Sequence, residues 1–121
     1  MEKQKRPHIS KKIREKILNM FGGKCAYCGC MPKKLVVDHI EPVAYQGYGD
    51  ARFEENNFFP ACFSCNSFKG ALRLEDFRKQ LSEQANRARL YSVNYRMALK
   101  YGLITENPNA EIIFYFETKL L

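Results

Sequence analysis

Two Cys-x-x-Cys pairs, Cys25-Ala-Tyr-Cys28 and Cys62-Phe-Ser-Cys65, frame the part of this sequence best equipped for chemistry. A two-residue gap lets one tight turn aim both sulfurs at the same ion, so four thiolates in two such pairs suit a single tetrahedral zinc. The 33 residues between the pairs exceed what a minimal zinc ribbon needs, so more structure must be folded inside them. A redox role of the thioredoxin kind would need one pair beside a strand–helix–strand pattern, which is missing. Cys30 is the odd cysteine: it either competes as a ligand or is a free or buried thiol.

Inside the interval, Asp38 stands directly before His39 in "LVVDHI", and Pro42 and a Gly- and Tyr-rich loop follow. Asn57 precedes the second pair, and Asn66 and Lys69 come just after it. An Asp-His neighbour pair alone carries little information. Its place between two knuckles is what gives it weight.

The elements that must hold these residues can be read from local patterns. Residues 1–9 read as a flexible basic arm. Ser10 can cap a helix whose apolar positions Ile13, Ile17, Leu18 and Phe21 follow the helical period, and Gly22-Gly23 ends it. "LVVDHI" is β-branched and apolar, a short buried strand closed by Pro42. Residues 43–56 form a loop of a length that is usually functional or held by an insertion; within it, Tyr45 and Tyr48 could stack on sugar or base, or simply pack the loop. "NNFFPA" reads as a second brief strand, and "CFSCNSFKGAL" as a knuckle running into a short helix. Leu74, Phe77, Leu81, Ala85 and Ala88 line one helical face, and Leu90, Val93, Met97 and Tyr101 line another slightly out of phase, which predicts two helices or one bent near 88–91. Gly102 signals the helix end, "NPN" turns the chain, and residues 111–117 are expected to form a final strand.

Charge is unevenly spread over the 121 residues and their net +7. Residues 1–34 hold ten Lys/Arg against two acids, and 61–100 hold eight against three, whereas 35–60 hold five acids and one Arg. Basic flanks around an acidic centre suggest a polyanion gripped outside and a cation held within. Surplus lysine that only keeps a small protein soluble is the plainer reading. "EIIFYFET" is far shorter than the roughly 20 apolar residues of a membrane span, and the charged opening "MEKQKRPHISKK" has no apolar stretch behind it. No membrane association is expected, and the cytoplasm of a bacterial or phage-infected cell is the expected compartment, where clustered thiols bind metal more often than they pair.

The run "CAYCG…LVVDHIEPVAYQGYGDARFEENNFFPACFSCNSFKG" resembles the HNH endonuclease family in its zinc-knuckle form, over residues 25–70. Where that family often has a final His, this chain has Asn66, an H-N-N pattern the family also uses. The resemblance implies an α+β fold with a ββα-metal (His-Me finger) core, a four-cysteine zinc knuckle, flanking helices and the C-terminal strand, all in one nuclease domain over 10–121. It also implies roles. His39 would be the general base that takes a proton from the attacking water, as suits a neutral imidazole near pH 7. Asp38 and Asn66 would bind a catalytic Mg²⁺ or Mn²⁺, since two hard oxygen ligands leave room for water and phosphate. Asn57 would fix strand and imidazole by bonding across the hairpin, and Lys69 would hold a phosphate. Strand alternation would send Asp38 and His39 to opposite sides.

The expected activity is therefore metal-dependent hydrolysis of DNA, with RNA as the other substrate, leaving 5′-phosphate and 3′-hydroxyl ends. Low sequence specificity and steep salt dependence are expected because the grip is on phosphates. Packaging, defence and homing are all roles such bacterial and phage domains take. One rival is a zinc-stabilised nucleic-acid-binding module that does not cut. Another is a subunit of a larger complex or homo-oligomer, joined through the C-terminal strand as an added sheet edge.

Overall fold

In the computed structural model, residues 8–42 and 55–119 are described. The basic arm through residue 7 and the loop positions Tyr45 and Tyr48 lie outside them. The described residues fall into two compact units, one running to Leu74 and resuming at Ile113, the other spanning Glu75–Ile112.

The first unit holds all the chemistry singled out above. Helix α1 (Lys11–Leu18) starts as predicted, with the Ser10 hydroxyl accepting from the Ile13 amide at 3.2 Å, and it buries Ile17. Strands β1 (Val36–His39) and β2 (Phe58–Ala61) form an antiparallel pair in which Asp38 faces Phe59 and His39 faces Phe58. A 3-10 turn, Glu55–Asn57, leads into β2. Pro60 sits opposite Val37. It has no N–H to give, and its carbonyl accepts from the Ala26 amide at 2.8 Å. Helix α2 (Phe63–Lys69) begins at the second knuckle, where Cys62 is the N-cap and its sulfur accepts from the Cys65 amide. The expected α+β class is borne out, with a two-stranded sheet and clustered cysteines.

The expected strand over 111–117 is not formed. Residues 111–114 are extended without a strand partner among the described residues, and Tyr115–Thr118 make a short helix, α6. The reason lies in where the backbone donors go. The Phe114 amide is taken by the Glu117 carboxylate at 2.8 Å, which starts a helical turn. The amides of Tyr115 and Phe116 bond to the carbonyls of Tyr27 and Ala26 in the first knuckle. Alternation buried Phe114, and the aromatic cluster of Tyr27, Phe59, Phe114 and Phe116, with ring centroids 4.7–6.5 Å apart, secures the tail. A sheet edge offered to a partner through this strand is accordingly lost.

Gly29 is where tail and knuckle approach most closely. Its φ is +77°, and a Cβ there would lie 2.9 Å from Cδ2 of Tyr115. Gly29→Ala is expected to cost roughly 2 kcal/mol or more, from left-handed strain plus the forced retreat of the tyrosine. Thermal melting of the zinc-loaded protein checks this, and a melting temperature unchanged within a degree would contradict it.

The second unit is helical. Instead of two helices or one bent helix it has three: α3 (Leu74–Ser82, whose first residue belongs to the first unit), α4 (Gln84–Tyr91) and α5 (Val93–Lys100). Ser92 makes the second break: it is extended (φ −118°, ψ 110°) and its side chain caps α5 through the Tyr95 amide at 3.1 Å. Gly102, at φ +70°, ends α5 as expected, and the Leu103 amide reaches back to the Ala98 carbonyl. Among the described residues no helix is long and apolar enough to cross a membrane.

Candidate active site and metal centre

The four cysteines converge. The sulfurs of Cys25, Cys28, Cys62 and Cys65 all lie within 4.8 Å of one another. Those of Cys28 and Cys62 are 3.8 Å apart, and the sulfurs of a tetrahedral zinc with Zn–S bonds of about 2.3 Å stand about 3.8 Å from each other. Amide donors steady the cluster, Tyr27 to Cys25 and Cys65 to Cys62, each at 3.4 Å. Hydrogen bonding with Cys65 brings the Cys25 thiol down to about 4 against the opposing effect of burial, while Cys65 is pushed up. The pair thus holds one thiolate readily, and a divalent cation completes the deprotonation of the rest. The donor set fits zinc. Cys30 is exposed and is not one of the four clustered ligands. Hydrogen bonding with Cys28, with burial and Cys62 adding to it, raises its thiol to about 12.

Strand β1 delivers Asp38 and His39 beside this centre, and both are buried, at 5% and 8% exposure. They point to opposite faces, as strand geometry requires. The imidazole of His39 meets the Phe58 ring edge-on, with centroids 5.1 Å apart and planes at 89°. Packing of this kind fixes a ring's tilt without using a nitrogen.

Asn57 clamps the end of β1. Its Oδ1 accepts from the Glu41 amide at 2.8 Å and its Nδ2 donates to the Glu41 carbonyl at 3.1 Å, while its own carbonyl accepts from the Ile40 amide. The side chain thus bridges the hairpin just past His39. Its neighbour Asn56 is exposed. Asn66, on α2, is half-buried and stands one turn before Lys69, so the two share a helix face.

Lys69 corrects the expected assignment. Its side chain is fully buried, with Nζ donating to the His39 carbonyl at 2.9 Å and standing 3.2 Å from Asp38 Oδ2. An ammonium enclosed in this way does not reach a phosphate in solvent. A buried carboxylate needs a counter-charge, and Lys69 is that charge.

Tyr27 is a site residue that the sequence did not disclose. Its hydroxyl donates to the same Asp38 Oδ2 at 2.5 Å. Burial and the Asp38 charge push the tyrosine up, so it stays a donor. Burial likewise pushes the Asp38 carboxyl up, and the Lys69 ammonium and Tyr27 hydroxyl pull it back. "CAYC" places Tyr27 visibly between two ligands, but nothing local names a partner eleven residues on.

Residues 25–72 match the family model described as HNH endonuclease. Those 48 of the 121 residues are similar to HNH endonucleases. The match spans both knuckles, β1, β2 and α2, the same stretch that carries Asp38, His39, Asn57 and Asn66. The HNH family is one of nucleases, so the match points to nucleic acid as the class of substrate. Searches of curated proteins and of solved structures each find no match.

Proposed function

We propose that the HNH segment is a DNA endonuclease that hydrolyses phosphodiesters with a histidine base and one divalent cation. The observation that carries this reading is the pairing of a zinc-type knuckle with an Asp38-His39 strand end, its two side chains sent to opposite faces and its backbone clamped by Asn57. Zinc at the four cysteines would tie the turn that precedes β1 to the start of α2, so the catalytic groups are held by a rigid frame.

His39 removes the proton from the attacking water, and its orientation comes from Phe58 on one side and the Lys69-bound backbone on the other. Asp38 and Asn66 supply the hard oxygen ligands for Mg²⁺ or Mn²⁺. The bound ion would stabilise charge on the phosphate and on the leaving 3′ oxygen. For Asp38 the fit is specific: among the described residues, its bonds to Tyr27 and Lys69 both fall on Oδ2, and Oδ1 takes part in neither. The basic flanks attract the phosphate backbone.

Purified protein with added Mg²⁺ or Mn²⁺ is expected to nick or linearise supercoiled plasmid, and to stop when the added ion is withheld. A preparation that binds DNA but leaves plasmid intact across both ions would sink the reading. It would instead favour a non-cutting, zinc-stabilised binding module, in which the Asp38–Lys69 ion pair serves packing alone.

A further inference from the structure

The least expected feature of the site is the double tie on one carboxylate oxygen. Tyr27 and Lys69 come from different elements, the first knuckle and the end of α2, yet both bind Asp38 Oδ2. Lys69 goes on to bond the His39 carbonyl. All three side chains are buried, with exposures of 2%, 1% and 5% for Tyr27, Lys69 and Asp38.

We propose that Tyr27 and Lys69 are positioning residues that clamp Asp38 Oδ2, so that the zinc knuckle sets the orientation in which Oδ1 meets the catalytic cation. The proposal rests on the reading of Asp38 as an ion ligand. A carboxylate has two equivalent oxygens and rotates freely about its last bond unless something holds it. A cation that must immobilise its ligand binds more weakly than one that finds it fixed. Here the fixing groups are a phenol carried between two zinc ligands and an ammonium carried one helical turn past another zinc ligand. The sulfur site and the oxygen site are therefore joined through a single hydroxyl as well as through the backbone. Supporting residues of this kind act on how well a metal is held even though they never touch it.

The test uses the full zinc-loaded chain and Mn²⁺ as the probe, with binding followed by water-proton relaxation in the absence of DNA. Asp38→Asn identifies the Mn²⁺ site by abolishing binding there. Tyr27→Phe removes one hydroxyl and no charge, so it reads orientation alone. It is expected to raise the Mn²⁺ Kd at least fivefold with one zinc per chain retained. A Kd within twofold of the parent's, zinc retained, overturns the proposal. Lys69→Met is read in single-turnover cleavage at saturating protein, which does not depend on the fraction of active molecules. A drop of tenfold or more in rate is expected, with the KM for DNA and the salt dependence of binding unchanged. A raised KM and a salt slope shallower by about one would make Lys69 a phosphate contact and overturn the proposal. If Lys69→Met does not fold, Tyr27→Phe decides. A parent that binds Mn²⁺ and shows the Tyr27 effect but cuts nothing refutes the nuclease reading and leaves the clamp standing. A parent that cuts through His39 with Tyr27→Phe indifferent does the reverse.

Discussion

His39→Ala should lower the rate of plasmid cleavage by about 10²–10⁴, the range over which a positioned general base contributes, while one zinc per chain is retained. His39 is 8% exposed and its ring packs on Phe58, so removing the imidazole also leaves a small void. That void costs stability of the order of 1–3 kcal/mol, which a zinc-pinned unit tolerates. Circular dichroism and zinc content, measured on the same sample as the cleavage rate, separate the two effects. Folded, zinc-loaded His39→Ala protein cutting as fast as the parent would remove the histidine from the mechanism. Loss of zinc in the variant would instead show that His39 helps hold the knuckle.

Stripping the zinc should have the larger effect on the fold. Structural zinc in small cysteine sites supplies about 10–16 kcal/mol at neutral pH, whereas whole domains are stable by only about 5–15 kcal/mol. Among its described residues, the first unit has few buried large side chains outside the knuckle, among them Ile17, Phe58 and Phe114. A strong zinc chelator, or Cys62→Ser, should therefore abolish its tertiary structure and its DNA cleavage together. The chain has seven tyrosines and no tryptophan, so the near-ultraviolet signal of Tyr27 and its neighbours reports the loss directly. Withholding Mg²⁺ should stop cleavage and leave that signal intact. Metal-free protein that keeps a cooperative melt at the parent temperature would show that the sulfurs are dispensable.

What could be read in advance was what local chemistry fixes. Ser10, the short β-branched strand, the helix that starts on the second knuckle and Gly102 all use signals within a few residues of where they act. The cysteine pairs were legible because their spacing is itself the geometric requirement. The tail was misread because its apolar run suits a strand equally well, and the choice was made by the carbonyls of Ala26 and Tyr27, far away in sequence. Ser92 carried a local signal for a helix start, but the apolar stripes on either side of it obscured the break. Lys69 was misassigned for a related reason. A lysine next to a nuclease motif suggests a phosphate, and only the position of Asp38 shows that it has a buried partner. Tyr27 lay in plain sight, but its function depends on an oxygen from another element.

The docking of Tyr115 and Phe116 onto Ala26 and Tyr27 also bears on biosynthesis. A ribosome makes the first knuckle well before the residues that cover it. Until these emerge from the exit tunnel, the nascent chain carries its metal-binding turn with the aromatic cluster open on one side. Closure over such a sequence separation is slow compared with helix or hairpin formation, so the first unit is completed only after the whole helical second unit has been synthesised.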